Sequence, residues 1–142
     1  MSVNLKNNPD GSGGLQGVDK DDGGFLAAKT EYTAASVDKS LFVANRAYVV
    51  KAIRGVVDVA GTDAGAVTAT LRKVPSGTAI TSGTALHSGT FNLKGTAATN
   101  QTLTLSTTVT DLKLAAGDRL AVDFTGVLTA ATGCITVTLS PA

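Results

Sequence analysis

A zinc site of the usual kind needs four nitrogen, sulfur or carboxylate ligands. This chain has one histidine, His87, and one cysteine, Cys134, which do not supply the His and Cys ligands that the usual sites are built from. The lone cysteine also excludes an intramolecular disulfide; flanked by Ile135 and Val137, it reads as a small filler on the core side or at the edge of a strand. A Ser-His-Asp arrangement would have to recruit His87, yet no serine sits in a G-x-S-x-G elbow, and His87 reads as a structural or surface residue. Basic and acidic side chains number 12 and 11, a formal net charge of +1, and only 16% of residues are charged. No basic block gives the electrostatic footprint of a nucleic-acid binder, so no nucleic-acid partner is expected. There is no tryptophan, and two tyrosines and four phenylalanines are the only aromatic rings. A sugar site that lays rings against its ligand is under-equipped, the more so because Phe91 and Phe124 fall on apolar faces and are read as core. No apolar stretch is long enough to span a bilayer, so no membrane partner is expected. The first residues, MSVNLKNNPDGSGG, hold no apolar run of signal-peptide length, which predicts synthesis in a cytoplasm-like compartment and makes the sequon at Asn100 incidental.

What the chain does have is alternation. In LKLAAGDRLAVDFTGV, residues 112–127, Leu112 and Leu114 alternate with polar neighbours. Ala115-Ala116-Gly117-Asp118 makes a turn, and Leu120, Val122 and Phe124 alternate with Arg119, Ala121, Asp123 and Thr125. That is strand, turn, strand, each apolar on one face; Asp118 is a turn residue and Asp123 an outward strand residue. The same rule covers Val67, Ala69 and Leu71, then Leu103 and Leu105, and finally Ile135, Val137 and Leu139. Residues 29–36 and 41–43 are further strand candidates, although residues 25–28 could open a short helix. The apolar stretch 47–60 is out of phase with itself, because Lys51, Arg54 and Asp58 cannot share one face of a regular strand. It predicts a long strand bent by a bulge near Gly55.

Ser-Gly-Thr recurs at 76, 82 and 88. Three copies are too few for a hexapeptide solenoid, and the stretch is read as a low-complexity loop leading into a strand that carries Phe91 and Leu93, with His87 in phase. No segment of helical length holds an apolar stripe at i, i+3, i+4 and i+7. About eight short strands with glycine-rich turns predict an all-β fold: an antiparallel β-sandwich, an eight-stranded jelly roll, over residues 25–142.

Residues 1–24 differ. Six glycines are interspersed with Asn, Asp and Ser, and the apolar residues Val3, Leu5, Leu15 and Val18 follow no period, which predicts a flexible, extended arm. Asp19, Asp21 and Asp22 have the carboxylate density of a calcium loop but miss its register: the third ligand position falls on Gly23, and Thr30 stands where a bidentate Glu belongs. The glycine cluster of residues 11–17 fails the dinucleotide fingerprint at Gln16. No catalytic residue, cofactor or metal is assigned.

The glycine-rich arm, SLFVANRAYVVKAIRGVVDVAGTDAGAVTATLRK, the Ser-Gly-Thr stretch and LKLAAGDRLAVDFTGVLTAATGCITVTL together resemble the small decoration, or cement, proteins of tailed bacteriophage heads over most of residues 40–140. The resemblance implies a non-enzymatic structural virion protein on the outer capsid surface, made in the host cytoplasm, that self-associates as a dimer or trimer. It also implies a partner, the major capsid protein, whose subunits it bridges. In that reading Val3, Leu5, Leu15 and Val18 are the partner-binding residues, seated in shallow pockets as the arm pairs with an exposed strand edge. The alternative role is a receptor- or glycan-binding module of a phage head or tail fibre.

Overall fold

The computed structural model describes residues 25–142. Ten strands run in chain order: β1 Leu26–Tyr32, β2 Lys39–Val43, β3 Tyr48–Val59, β4 Thr68–Val74, β5 Thr84–Ala85, β6 Phe91–Asn92, β7 Asn100–Thr102, β8 Lys113–Leu114, β9 Arg119–Thr125 and β10 Thr132–Pro141. They form two five-stranded antiparallel sheets packed as a sandwich. One has the order β1-β10-β3-β7, with β8 also on β3; the other has the order β2-β9-β4-β5, with β6 also on β4. Among the described residues no helix is long and apolar enough to cross a membrane.

The expected sandwich is therefore present, and the chain passes from sheet to sheet as a jelly roll does, but the count of eight strands is not. The difference lies at two edges. β5 and β6 are separate two-residue pieces along β4, and β7 and β8 are separate pieces along β3. The Ser-Gly-Thr repeat explains the first break, because its glycines and short polar residues favour turns over a ladder. The expected strand at Leu103 and Leu105 likewise reduces to one bridge, His87 to Leu105, beyond the end of β7.

Residues 25–28 do not open a helix. β1 begins at Leu26 and ends at Tyr32, earlier than predicted at both ends, in seven unbroken registers against β10. Pairing decides this, overriding the helix preference of two alanines. Thr33 then starts a turn, closed by the Ser36 N–H on the Thr33 carbonyl at 2.9 Å.

β3 resolves the phase conflict, and not at Gly55. Its register with β10 slips at two places: Lys51 is skipped between Ala52 and Val50, and Asp58 is skipped between Val59 and Val57. Each skipped residue resets the alternation. Tyr48 and Val50 face the core on one side of the first bulge, Ile53 and Val57 on the other, while Lys51, Arg54 and Asp58 all reach solvent. Gly55 lies between the two bulges for a different reason. A Cβ there would stand 2.6 Å from the Phe91 ring and 2.9 Å from the Cys134 carbonyl, so only glycine admits the ring.

Phe91 is at the centre of the core with Tyr32, Ile53, Leu71, Leu86, Leu93, Leu120, Ile135 and Leu139, all fully buried. Each such side chain contributes about 1.5 to 3 kcal/mol relative to exposure. Tyr32 meets Phe91 edge-on, with ring centroids 6.5 Å apart at 77°. The outer faces of the two sheets differ. On the β2-β9-β4 sheet, Arg72 donates to the Asp123 carboxylate at 2.7 Å and to the Gly83 carbonyl at 2.9 Å. Arg119 donates to the Thr78 carbonyl. The bonds to Thr78 and Gly83 tie the first two Ser-Gly-Thr copies to the sheet, and Ala121 and Asp123 are buried. Asp123 does point outward as expected, but beneath a loop rather than into solvent.

Candidate interaction surface

The partner-binding residues expected from sequence, Val3, Leu5, Leu15 and Val18, lie outside the described residues. What the fold presents to a partner has to be read from the edges, faces and clefts of residues 25–142.

Three of the four edge positions are interrupted. β5 with β6 and β7 with β8 are each broken into pieces of two or three residues. β2 carries a register shift between Ser40 and Phe42 on β9. β1 alone is both long and regular, and among the described residues β10 is its only ladder partner. The open side can be assigned. The Lys39 ammonium donates to the Glu31 carbonyl at 2.8 Å from β2, so Glu31 turns its backbone groups away from β10. Alternation then puts Ala27 and Lys29 on the same open side. An unpaired run of this kind is a template for another strand. Phe25 and Leu26, 61% and 38% exposed, add apolar surface where the chain enters β1 from residues 1–24.

Two clefts flank the far end of β1. One, about 290 Å³, is lined by Lys29, Glu31, Tyr32, Asp58 and Cys134 among others. Here Lys29 pairs with Glu31 at 3.0 Å, and that hydrogen bond draws the carboxyl below and the ammonium above their ordinary pKa values. Burial pushes the Tyr32 phenol up to about 12; its hydroxyl donates to the Val56 carbonyl at 3.5 Å. The other cleft, about 390 Å³, lies among Ser36, Val37, Asp38, Phe124, Gly126 and Leu128. Two of its lining residues are joined by the Phe124 N–H, which donates to the Asp38 carboxylate at 2.7 Å. Val37 and Val127 stay largely exposed nearby.

Cys134 is not the core-side or strand-edge filler expected from its apolar neighbours. Alternation along β10 sends Ile135 and Val137 inward and leaves Cys134 half-buried on the outer face, between Glu31 of β1 and Val56 of β3. That face runs Thr132, Cys134, Thr136, Thr138 and Ser140, a row of small, half-buried side chains on an inner strand of its sheet.

His87, Asp111, Asp118 and Asp123 are each held in structural hydrogen bonds. His87 accepts the Leu71 N–H at 3.0 Å on Nε2 and has Nδ1 3.3 Å from the Ser88 carbonyl. Of the nearby carboxylates, Asp111 takes a 2.7 Å bond from the Ser106 hydroxyl and Asp123 is held by Arg72. Asp118 is the turn residue it was read as, accepting the Ala115 N–H at 2.8 Å. No group of three His, Cys, Asp or Glu among the described residues is placed to hold a metal ion. Aromatic supply is as thin as the sequence predicts: Tyr32, Tyr48 and Phe91 are buried, and Phe25 is the one exposed ring among the described residues.

No protein-family model matches the chain, and no curated protein matches it. Two solved structures match the chain at low identity and low TM-score. One belongs to Bacillus endospore appendages, described as a family of disulfide-linked pili, with 18% identity over 83% of this chain and 89% of that one, and a TM-score of 0.36. The other is from infectious bursal disease virus, Gx strain, with 15% identity over 80% of this chain and a TM-score of 0.39. The chain spans 31% of that viral protein's length.

Proposed function

We propose that this chain is a structural virion protein, a cement or decoration protein on the outside of a phage head that stabilises the shell by bridging major capsid protein subunits. The observation that carries this reading is the β1 edge, an unbroken seven-residue strand joined directly to residues 1–24. It gives the chain two ways of adding a strand across a contact: residues 1–24 laid on a neighbour's edge, and a neighbour's segment laid on β1. Val3, Leu5, Leu15 and Val18 are the side chains that seat the first of these contacts. The resemblance of residues 40–140 to phage decoration proteins supports the same role, as does a surface near charge neutrality that does not repel its own copies. A specific contact of roughly 1,000 Å² suffices for each copy, because repeated sites on a symmetric shell add through avidity.

The test is co-sedimentation of purified protein with heads lacking it. The intact chain pellets with heads at a fixed copy number relative to the shell protein. The chain without residues 1–24 keeps the circular dichroism and melting of a folded sandwich but stays in the supernatant. Full occupancy by the truncated chain refutes the role of residues 1–24, and absence of binding by the intact chain refutes the cement reading itself. Saturable binding to host polysaccharide instead would establish the receptor-binding alternative, against which the burial of the aromatic rings weighs.

A further inference from the structure

β4 has a gap in its outer pairing. β5 meets it at Arg72 and Lys73, and β6 meets it at Thr68 and Ala69; Thr70 and Leu71 fall between. At the gap the Leu86 N–H donates to the Leu71 carbonyl at 3.0 Å. The Leu71 N–H in turn has no backbone carbonyl to meet and donates to the His87 ring at 3.0 Å. A backbone N–H can only donate, so Nε2 must be unprotonated; the ring proton is therefore on Nδ1, which donates to the Ser88 carbonyl. One imidazole thus replaces the ladder carbonyl that the broken edge strand lacks, at a site only 5% exposed.

We propose that His87 is an acid-sensitive latch on this edge of the sandwich. A proton taken up at Nε2 converts the acceptor of the Leu71 N–H into a second donor, the bond is lost, and residues 84–93 come away from β4. The same segment also ties the sheets to each other. His87 bridges to Leu105, the Ser88 N–H donates to Thr104, and the Ser106 N–H donates to Leu86. Release therefore loosens the seam between the two sheets and not only one edge.

The surroundings favour opening by acid. Burial holds the imidazole below its ordinary pKa, against the pull of the Ser88 and Gly89 carbonyls, and the Arg72 guanidinium on β4 adds to the lowering. The other charged groups on packed elements are engaged: Asp123 of β9 by Arg72, Asp111 by Ser106, and Lys73 of β4 by the Thr110 and Lys113 carbonyls. A cleft of about 400 Å³ lined by His87, Ser88, Thr104, Ser106 and Asp111 borders the ring.

Amide hydrogen exchange between pH 7.5 and 5, corrected for intrinsic exchange, tests this on the full chain. Wild type opens at Leu71 and residues 84–93 about tenfold more per pH unit below the ordinary histidine pKa, the slope of a single proton. His87→Gln keeps an amide oxygen as acceptor but cannot titrate, and stays protected at both ends of the range. His87→Leu is unprotected at both. Ring ¹⁵N shifts of the wild-type protein give a readout independent of the variants, with unprotonated Nε2 at pH 7.5 and titration coincident with Leu71 opening. Protection that does not vary with pH in wild type, a wild-type pH response in His87→Gln, or ring titration without any change at Leu71 would each overturn the proposal.

Discussion

Gly55→Ala is a one-atom change whose cost can be worked from its surroundings. The added Cβ would lie 2.6 and 2.7 Å from two Phe91 ring carbons and 2.9 Å from the Cys134 carbonyl oxygen, where carbon pairs prefer about 3.5 to 4.0 Å. Phe91 cannot retreat, because its ring is fully buried and braced edge-on by Tyr32. Overpacking of this kind costs about 1 to 3 kcal/mol, against which alanine's smaller chain entropy returns roughly 0.5 to 1. A net loss of about 0.5 to 2 kcal/mol is expected, read as a lower urea midpoint at unchanged slope; with a slope of about 2 kcal/mol/M the shift is about 0.25 to 1 M. Phe91→Leu alone leaves a cavity and destabilises by roughly 1 to 3 kcal/mol. It also vacates the space the new methyl needs, so the double variant should lose less than the two single losses together, by about 1 kcal/mol or more. Additive losses, or a Gly55→Ala protein as stable as wild type, would refute the claim that this glycine exists to admit that ring.

Asp123→Ala strands the Arg72 guanidinium under the Ser-Gly-Thr loop and should cost about 1 to 3 kcal/mol in thermal melting; Arg72→Ala added to it should cost little more, since the pair acts as a unit. Tyr32 should destabilise the protein in alkali. Its folded pKa is raised, so its contribution is fully present below the unfolded value near 10 and is lost as pH climbs towards about 12, by at most about 2 to 3 kcal/mol. Tyr32→Phe should flatten that limb of the stability profile, and an unchanged limb would count against the burial argument. Lys39→Ala uncovers the Glu31 carbonyl on the open side of β1, so light scattering should show more self-association at high protein concentration. No change there would mean that Lys39 does not guard the edge.

Alternation carried most of the sandwich. Strands flanked by clear turns, such as β4, β9 and β10, are legible in Val67 to Leu71, Leu120 to Phe124 and Ile135 to Leu139, because one buried face leaves a period of two. Legibility fails where a backbone device breaks that period. Lys51 and Asp58 each add a residue to β3, and only the partner strand reveals which residue is extra; Gly55 attracted the bulge prediction because a strand glycine signals both bulges and close approaches. Cys134 was misplaced for a related reason. Its neighbours are apolar, but Ile135 and Val137 are in phase with each other and Cys134 is in phase with Thr136. The role of His87 had a faint signal, a histidine in phase with Phe91 and Leu93, but nothing local states that β4 would lack a carbonyl at Leu71. The β1 edge had no local signal, since being an edge is a property of topology.

The two sides of the sandwich are unlike in a way that bears on assembly. The β2-β9-β4 sheet is covered on its outer face by its own Ser-Gly-Thr loop, pinned by Arg72 and Arg119, and its outer edge is in short pieces that no added strand could extend. The opposite sheet has a row of threonines, Ser140 and Cys134 on its inner strand β10 and ends in the regular β1. Lys29 and Glu31 stand beside Thr136 and Cys134, so a strand added to β1 would extend this sheet one strand beyond the threonine row, with β1 between them. In the proposed role this is the side that contacts a neighbour, and the His87 seam lies on the β4 edge of the other sheet. Acid opening of that seam would then soften the copy without first breaking its contact, which separates loss of shell reinforcement from loss of the protein from the shell.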